Sequence, residues 1–377
     1  MQKATIVKSG LAGAVALAIS LGAVAPAHAD IQPQAGDAVT VGSDTVQYVV
    51  DFAADGDTNA NVGYNTGNTD QRLFSFDATG DASGRAAYLN SSTTALPASI
   101  VLRAGSSPVT RPNGSGAGIA ALLNDTNHQI DFVRSSRLPN STEDGTATTK
   151  FNGFHVFRVA TDGLQIAVLH GTSHVPTNLT GTDLVHIYKG DYKKWGDIPN
   201  YSGSFASEGI VPVIPQTGSG TRNDFLADLQ NTYNGGTAIT LASWVKTGEE
   251  HDPTAITSVA SGTDVNGNPV SSADALEPFS TGRDKLIDTG YFGTTPAPNT
   301  IDLNPATSYN LARNLYLVAR QTDYLSTTVW QSGGTQNKIK ALFGLSTSWF
   351  AKSSNSGLFT SAGVTQAWLD KGVNPTS

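Results

Sequence analysis

Val213-Ile214-Pro215-Gln216-Thr217-Gly218-Ser219-Gly220-Thr221-Arg222-Asn223-Asp224-Phe225-Leu226 places two glycines and three hydroxyls between an apolar run and a segment with Phe225, Leu226 and Leu229 at helical spacing. The order reads as strand, tight loop, helix. The first N–H groups of a helix have no partner within it and sit at the positive end of its dipole, and glycine lets an oxyanion approach them, so such a loop suits an anion. Ser219 and Thr221 add hydroxyl donors. An ordinary N-capped helix start has the same composition, so the loop alone does not choose between the two.

The chain contains this construction twice more. Thr40-Val41-Gly42-Ser43-Asp44-Thr45-Val46 precedes Tyr48, Val49 and Phe52, and Asn113-Gly114-Ser115-Gly116-Ala117-Gly118 precedes Ile119, Leu122 and Leu123. Three helix N-termini with small polar loops are enough to surround one ligand. A fourth group, Arg134-Ser135-Ser136-Arg137, follows the apolar run 130–133. The C-terminal end of a strand is where an open α/β sheet places its ligand groups. Arg134 and Arg137 equally suit surface pairs with Glu143 or Asp144.

The elements that must position these loops follow from periodicity. Apolar or alternating runs at 38–42, 72–76, 99–103, 130–133, 154–159, 164–169 and 311–319 read as strands, with 99–103 expected in the core. The segment 182–190 reads as a capped helix with Trp195-Gly196-Asp197-Ile198 as the turn beyond it, and 337–343 and 362–369 read as helices. Strands alternating with helices through short connections imply α/β layers. Residues 54–97 are rich in Gly, Asn, Asp, Thr and Ser and read as surface loops around one strand. Asp55-Gly56-Asp57-Thr58-Asn59 opens like a calcium loop, but Ala60 and Thr66 stand where that loop needs glycine and glutamate. A solvated loop is expected there.

Residues 1–29 carry Lys3 and Lys8, an apolar run from Leu11 to Val24, and Ala27-His28-Ala29, which together form a signal-peptide pattern with cleavage before Asp30. Removal of that segment takes two lysines and no carboxylate, so 21 basic residues face 31 acidic ones and the net charge moves from −8 to −10. So acidic a surface argues against nucleic acid or an anionic membrane as partner. Any anion site must be built locally. The chain has no cysteine, which excludes a thiol nucleophile, a thiolate metal site and a lipid-modified N-terminal cysteine. The expected location is secreted, extracellular or periplasmic, with stability resting on the hydrophobic core.

The order of the Thr45 loop, the Gly-Ser-Gly helix, the Asp-Phe-x-x-Ser strand end, Leu184-Val185-His186-Ile187-Tyr188-Lys189-Gly190 with Trp195, and Gly218-Ser219-Gly220-Thr221 resembles the phosphate-binding proteins of bacterial phosphate ABC transporters. The likeness covers most of 38–231 outside the 54–97 insertion. It implies a two-lobed periplasmic-binding-protein-like fold of type II, α/β in class, with a hinged ligand cleft. Lobe I would be 36–162 plus 306–377, and lobe II 163–305. It further implies no enzyme activity, no cofactor and no metal, inorganic phosphate or a similar oxyanion as ligand, a membrane permease as partner, and a monomer.

Carried over residue by residue, the resemblance implies ligand contacts from Thr45, Val46 through its N–H, Ser115, Ser219, Gly220 and Thr221. Two positions depart from the family pattern. Ser136 stands where the family has aspartate, and Pro215 where it has arginine. Arg134, Arg137 or Arg222 would have to restore the positive charge, and Asp44 the acceptor. The competing readings are a secreted phosphatase, since phosphate loops also suit a phosphoryl transition state, and an adhesin-like module reusing the fold. No G-x-S-x-G elbow is present. His170 and His174 stand four apart, but Gly171 and Ser173 between them argue for a loop rather than a metal-binding helix face.

Overall fold

A computed structural model describes residues 32–375 apart from 58, 80–97, 295, 306–307 and 328–336. The signal-peptide segment and the second half of the 54–97 insertion lie outside the described residues. In chain order the elements are β1 (Ala38–Gly42), α1 (Gln47–Asp55), β2 (Leu73–Ser75), β3 (Ser99–Ile100), β4 (Val109–Thr110), α2 (Ser115–Asn124), β5 (Phe132–Ser135), α3 (Ser141–Phe151) and β6 (Phe154–Leu169). There follow α4 (Gly181–Lys189), β7 (Val211–Pro215), α5 (Gly220–Asp228), β8 (Lys246–Gly248), α6 (Thr254–Thr257), β9 (Gly262–Thr263), β10 (Pro269–Val270), β11 (Ala275–Ser280) and α7 (Thr281–Asp288). The chain ends with β12 (Ile301–Leu303), β13 (Leu311–Arg320), α8 (Gln321–Leu325), α9 (Lys338–Leu342), α10 (Ser356–Ser361) and β14 (Thr365–Val373).

One mixed sheet runs β2-β1-β5-β13-β6-β11-β7-β8, with β12 and β14 also paired to β6. β1 is parallel to β2 and β5, and every residue of β1 is buried, as expected of a strand covered on both faces. The two strands expected at 154–159 and 164–169 are a single 16-residue strand, β6. Its first half pairs with β13 and β14, and its second half with β11 and β12.

Hydrophobic packing sorts along that strand. Val39, Val41, Ile119, Leu122, Val133, Phe154 and Val156 pack together around its first half, whereas Leu164, Ile166, Leu184, Tyr188, Trp195, Ile214 and Phe225 pack around its second. A third cluster, from Val49, Phe52 and Phe132 to Phe279, Ile287 and Leu358, runs past both.

α4 shows how local sequence fixes one element of the second half. Thr180 and Asp183 form a capping box at its start, and Gly190 ends it at φ +83°, a left-handed conformation that glycine adopts freely. A Cβ at Gly190 would also stand 2.6 Å from the Trp244 ring. The buried Tyr188 hydroxyl donates to the carbonyl of Val213 at 2.7 Å, which ties α4 to the strand before the central loop.

Two expected elements are corrected. Residues 99–103 do not form a core strand of the main sheet: only Ser99–Ile100 is extended, and it pairs with β4 alone. The expected helix at 362–369 is instead β14, which lies antiparallel to β6. Over eight residues an apolar pattern does not separate the two periods, and the strand pairing decides.

Candidate oxyanion cradle

The strand-loop-helix units bring three loops to one place. β1 ends in Gly42 and leads into α1, β7 ends in Pro215 and leads into α5, and the N-terminus of α2, which precedes β5 in the chain, is brought beside β1 by a bridge between Gly42 and Asn113. The Gly116 N–H donates to the carbonyl of Gly218 at 3.1 Å, which joins the second and third loops directly. Thr45 Oγ1 lies 3.3 Å from Thr221 Oγ1, which joins the first and third. Ser115 Oγ lies 3.2 Å from Ser136 Oγ and accepts from the Ser136 N–H at 3.0 Å, so the strand end after β5 closes the group.

Gly220 sits over that serine pair. A Cβ there would stand 1.9 Å from Ser136 Oγ and 2.6 Å from Ser115 Oγ, closer than real side chains come. Glycine is therefore required by close approach. Ser219 caps α5, accepting from the Arg222 N–H at 3.0 Å. Thr45, Ser115, Ser136, Ser219, Gly220 and Thr221 thus form one cradle, with Val46 fully buried behind Thr45.

The charges around it come from residues the sequence reading passed over. Arg313 of β13 donates Nη1 to Thr221 Oγ1 at 2.6 Å, and Nε and Nη2 to Asp162 Oδ2 at 3.0 and 2.8 Å. Arg283 of α7 places Nη2 2.7 Å from both oxygens of Asp44, with its guanidinium over the Tyr48 ring at 4.6 Å. His251 Nδ1 lies 3.0 Å from Asp44 Oδ2, and its Nε2 lies 3.3 Å from Thr221 Oγ1. A carboxylate only accepts, so the Nδ1 of His251 carries a proton. Glu250 Oε1 accepts from Thr221 Oγ1 at 2.6 Å and from Thr45 Oγ1 at 2.8 Å.

The candidate charged residues are held differently from one another. Arg134 is fully buried and turns its guanidinium onto Ser43 and Gly42 carbonyls and Ser75 Oγ, so it braces the first loop from behind. Arg137 forms a two-pronged pair with Glu143 at 2.8 Å, the partner that its surface reading named. Arg222 donates to the Pro215 carbonyl at 2.9 Å. The arginine that meets a cradle hydroxyl is Arg313, which enters from a strand almost a hundred residues later. Asp44 is neither a solvent-facing cap nor free, since it is buried between Arg283 and His251. Burial works to raise its pKa, but Arg283 and then His251 outweigh that and hold it lowered to about 2.

Two other carboxyls near the cradle move upward. Asp224 is pushed up to about 7 by burial, with Arg313 pulling down and Glu250 pushing up, although a fifth of its side chain remains exposed. Glu277 is raised well above the usual carboxylate range by burial and by Asp252, Glu250 and Glu249. Among the described residues neither of its oxygens has a hydrogen-bond partner.

His170, His174 and the calcium-like loop fall outside the cradle. His170 pairs with Asp302 at 2.7 Å, whereas His174 Nδ1 lies 2.7 Å from Glu208 and 3.0 Å from Asp274. His174, Glu208 and Asp274 are the group of donors among the described residues compact enough to consider for a metal. Asp274 is already bonded by Trp195 Nε1 at 3.0 Å and by Ser271, and the His174 ring stacks on Phe205, so the group works as a polar network anchoring the buried Trp195. In the calcium-like loop, Asp57 accepts from the N–H groups of Asn59 and Asn61 and from Asn61 Nδ2, which closes the loop on itself.

A mixed α/β sheet with helix N-termini converging at its strand ends has its ligand groups at those ends. The PBP superfamily domain matches residues 78–336, more than half of the chain, and the chain belongs to that family. Over 112 residues it is 31% identical to the phosphate-binding protein PstS of Staphylococcus epidermidis, a match that covers 30% of this chain and 32% of that protein. The chain thus spans about a third of the length of the curated relatives it matches. Its fold is similar to that of a protein assigned as a phosphate ABC transporter substrate-binding protein, with bound phosphate, from Clostridium perfringens. The TM-score is 0.53 at 14% identity, over 88% of this chain and 99% of that one. An ABC-type phosphate transport receptor from Vibrio cholerae aligns with a TM-score of 0.48 at 18% identity, over 88% of this chain and all of that one.

Proposed function

We propose that this chain is an exported solute-binding protein that captures a tetrahedral oxyanion, phosphate foremost, and delivers it to the permease of an ABC transporter. One observation carries the reading: three helix N-termini are joined loop to loop, Thr45 to Thr221 at 3.3 Å and the Gly116 N–H to the Gly218 carbonyl at 3.1 Å, with Ser115 bonded to Ser136 and the buried Arg313 bonded to Thr221. Such a set presents N–H groups and hydroxyls to a single anion. The phosphate-binding names of the relatives agree with it.

In this reading 36–162 plus 306–377 and 163–305 are the two lobes, and the protein acts as a monomer that binds without turnover. Within the described residues no helix is long and apolar enough to cross a membrane. Calorimetry of the stripped protein with phosphate, arsenate, sulfate and molybdate tests the proposal, with p-nitrophenyl phosphate as the hydrolysis control. Saturable phosphate binding without turnover is the expected result. Turnover of the ester would replace it with the phosphatase reading, and no binding of any oxyanion would leave the adhesin-like one.

A further inference from the structure

The cradle holds an oxyanion of its own. Glu250 lies in the connection between β8 and α6 and is 2% exposed. Its Oε1 accepts from the Thr45 hydroxyl at 2.8 Å, the Thr221 hydroxyl at 2.6 Å and the Thr221 N–H at 3.4 Å. Each hydroxyl has one proton, so both Thr45 and Thr221 spend theirs on this carboxylate, and their mutual 3.3 Å approach follows from sharing it. These are two of the three loops that the proposed ligand would use. The other oxygen, Oε2, is buried with no hydrogen-bond partner among the described residues.

The space on the far side of Glu250 from the two threonines is small. The cavity beside Glu250, lined also by Asp44, His251 and Arg283, measures about 20 Å³. That admits about one water and not a tetrahedral oxyanion. Asp44, Asp162 and Asp224 add carboxyls around the same donors, so a dianion entering beside an ionised Glu250 would meet repulsion at close range.

The segment is held as a latch. The Glu250 N–H donates to Gln216 Oε1 at 2.8 Å, and Glu249 accepts from Asn113 Nδ2 at 2.6 Å and Gln216 Nε2 at 3.1 Å. His251, next in sequence, adopts φ +60°, a left-handed conformation unfavourable for a side chain with a Cβ. Hydrogen bonds from all three anion loops hold this buried segment together with one residue in a left-handed conformation, and they are bonds that an anion seated on the same loops would replace.

We propose that Glu250 is a tethered competitor for the cradle: its carboxylate occupies the oxyanion position, and the ligand binds by displacing it together with Glu249 and His251. This inference rests on the oxyanion-binding reading and concerns its regulation. An internal competitor lowers apparent affinity by the fraction of time the site is free, so it sets the concentration at which the protein begins to load.

The test is calorimetric titration of inorganic phosphate into the mature protein, wild type, Glu250→Ala and Glu250→Gln, each checked for folding by its thermal melt. Displacement predicts that Glu250→Ala binds about tenfold or more tighter than wild type, as expected when bonds to a charged acceptor no longer compete. Glu250→Gln, of equal size but uncharged, should fall between the two and serves as the readout should the alanine variant fail to fold. Unchanged or weaker binding in the variants would overturn the proposal and make Glu250 a spectator or a partner of the ligand's proton. If neither wild type nor either folded variant binds phosphate or another oxyanion, it is the oxyanion-binding reading itself that fails, and this inference with it.

Discussion

Gly220 and Ser136 approach so closely that a single added carbon on the glycine would stand 1.9 Å from the serine hydroxyl. The third anion loop and the end of β5 are therefore packed as tightly as a core, although every group facing that contact is polar or small. Gly220→Ala is expected to destabilise the protein by about 1–3 kcal/mol, the usual cost of overpacking. Ser136→Ala in the same chain should recover part of it, because Ser115 Oγ at 2.6 Å remains in the way. Urea unfolding of the single and double variants reads the coupling, and strict additivity would show that the two do not meet.

Arg313→Met should cost more. Asp162 would keep its contacts from Thr281 Oγ1 and the Gly282 N–H but lose its only ion-pair partner among the described residues while its side chain stays fully buried. Stranding such a carboxylate costs about 3–5 kcal/mol. The Asp162→Asn, Arg313→Met double variant is expected to be more stable than Arg313→Met alone.

Acid and neutral pH should act in opposite senses. Asp224 and Asp284 are each pushed up to about 7, the first by burial against the opposing pull of Arg313, the second by burial with Asp288 and Asp302. In the unfolded chain an aspartate titrates near 3.9, so between roughly pH 4 and 7 the folded chain retains protons that the unfolded chain has lost. Stability then falls as pH rises through that window. Asp44, held down to about 2, contributes stability that is present above about pH 4 and lost as pH falls towards 2. The melting temperature should be highest near pH 4–5, and Asp224→Asn should flatten the decline towards neutrality. A melting temperature that rises from pH 5 to 7 in wild type would contradict this.

Selectivity between phosphate and sulfate follows from which acceptor faces the ligand. Monohydrogen phosphate must donate its proton, whereas sulfate only accepts. In the proposed reading Ser136 would serve either anion by rotating its hydroxyl, so competition calorimetry should find phosphate preferred by tens-fold at most, the scale of one or two hydrogen bonds. Because both Asp44 oxygens are engaged by Arg283 and one also by His251, Asp44→Asn is expected to lower stability and leave that ratio unchanged. A preference that collapses in Asp44→Asn would place its carboxylate against the ligand.

The loops were legible in the sequence because their information is local. Glycines, hydroxyls and the helical spacing after them specify α1, α2 and α5 within a dozen residues each. The charges were not, because Arg313 meets Thr221 across 92 positions, Glu250 meets Thr45 across 205, and Arg283 meets Asp44 across 239. No local pattern encodes such pairings. Some signal was present all the same: Arg313 stands in the apolar run 311–319, Asp162 sits between two apolar runs, and Phe279-Ser280-Thr281-Gly282 repeats the strand, small residues, helix design one further time. A lone charge within a buried strand needs a partner, and that need marked both residues. The segments at 99–103 and 362–369 were misread because short apolar runs take their conformation from whichever strand edge they meet.

The unbroken course of β6 also bears on how the molecule assembles. Its residues 155–161 are flanked by β13 and β14, strands that end at positions 320 and 373. A chain emerging from its N-terminus therefore cannot pair 155–161 on both sides until residues 365–373 are available, and contacts of such long sequence separation form slowly. Until β13 is available both edges of 155–161 lack their partner strands, and until β14 is available one of them still does. Such a chain stays open for most of its synthesis, a state in which it can be threaded through a narrow channel and equally one in which it is most open to aggregation.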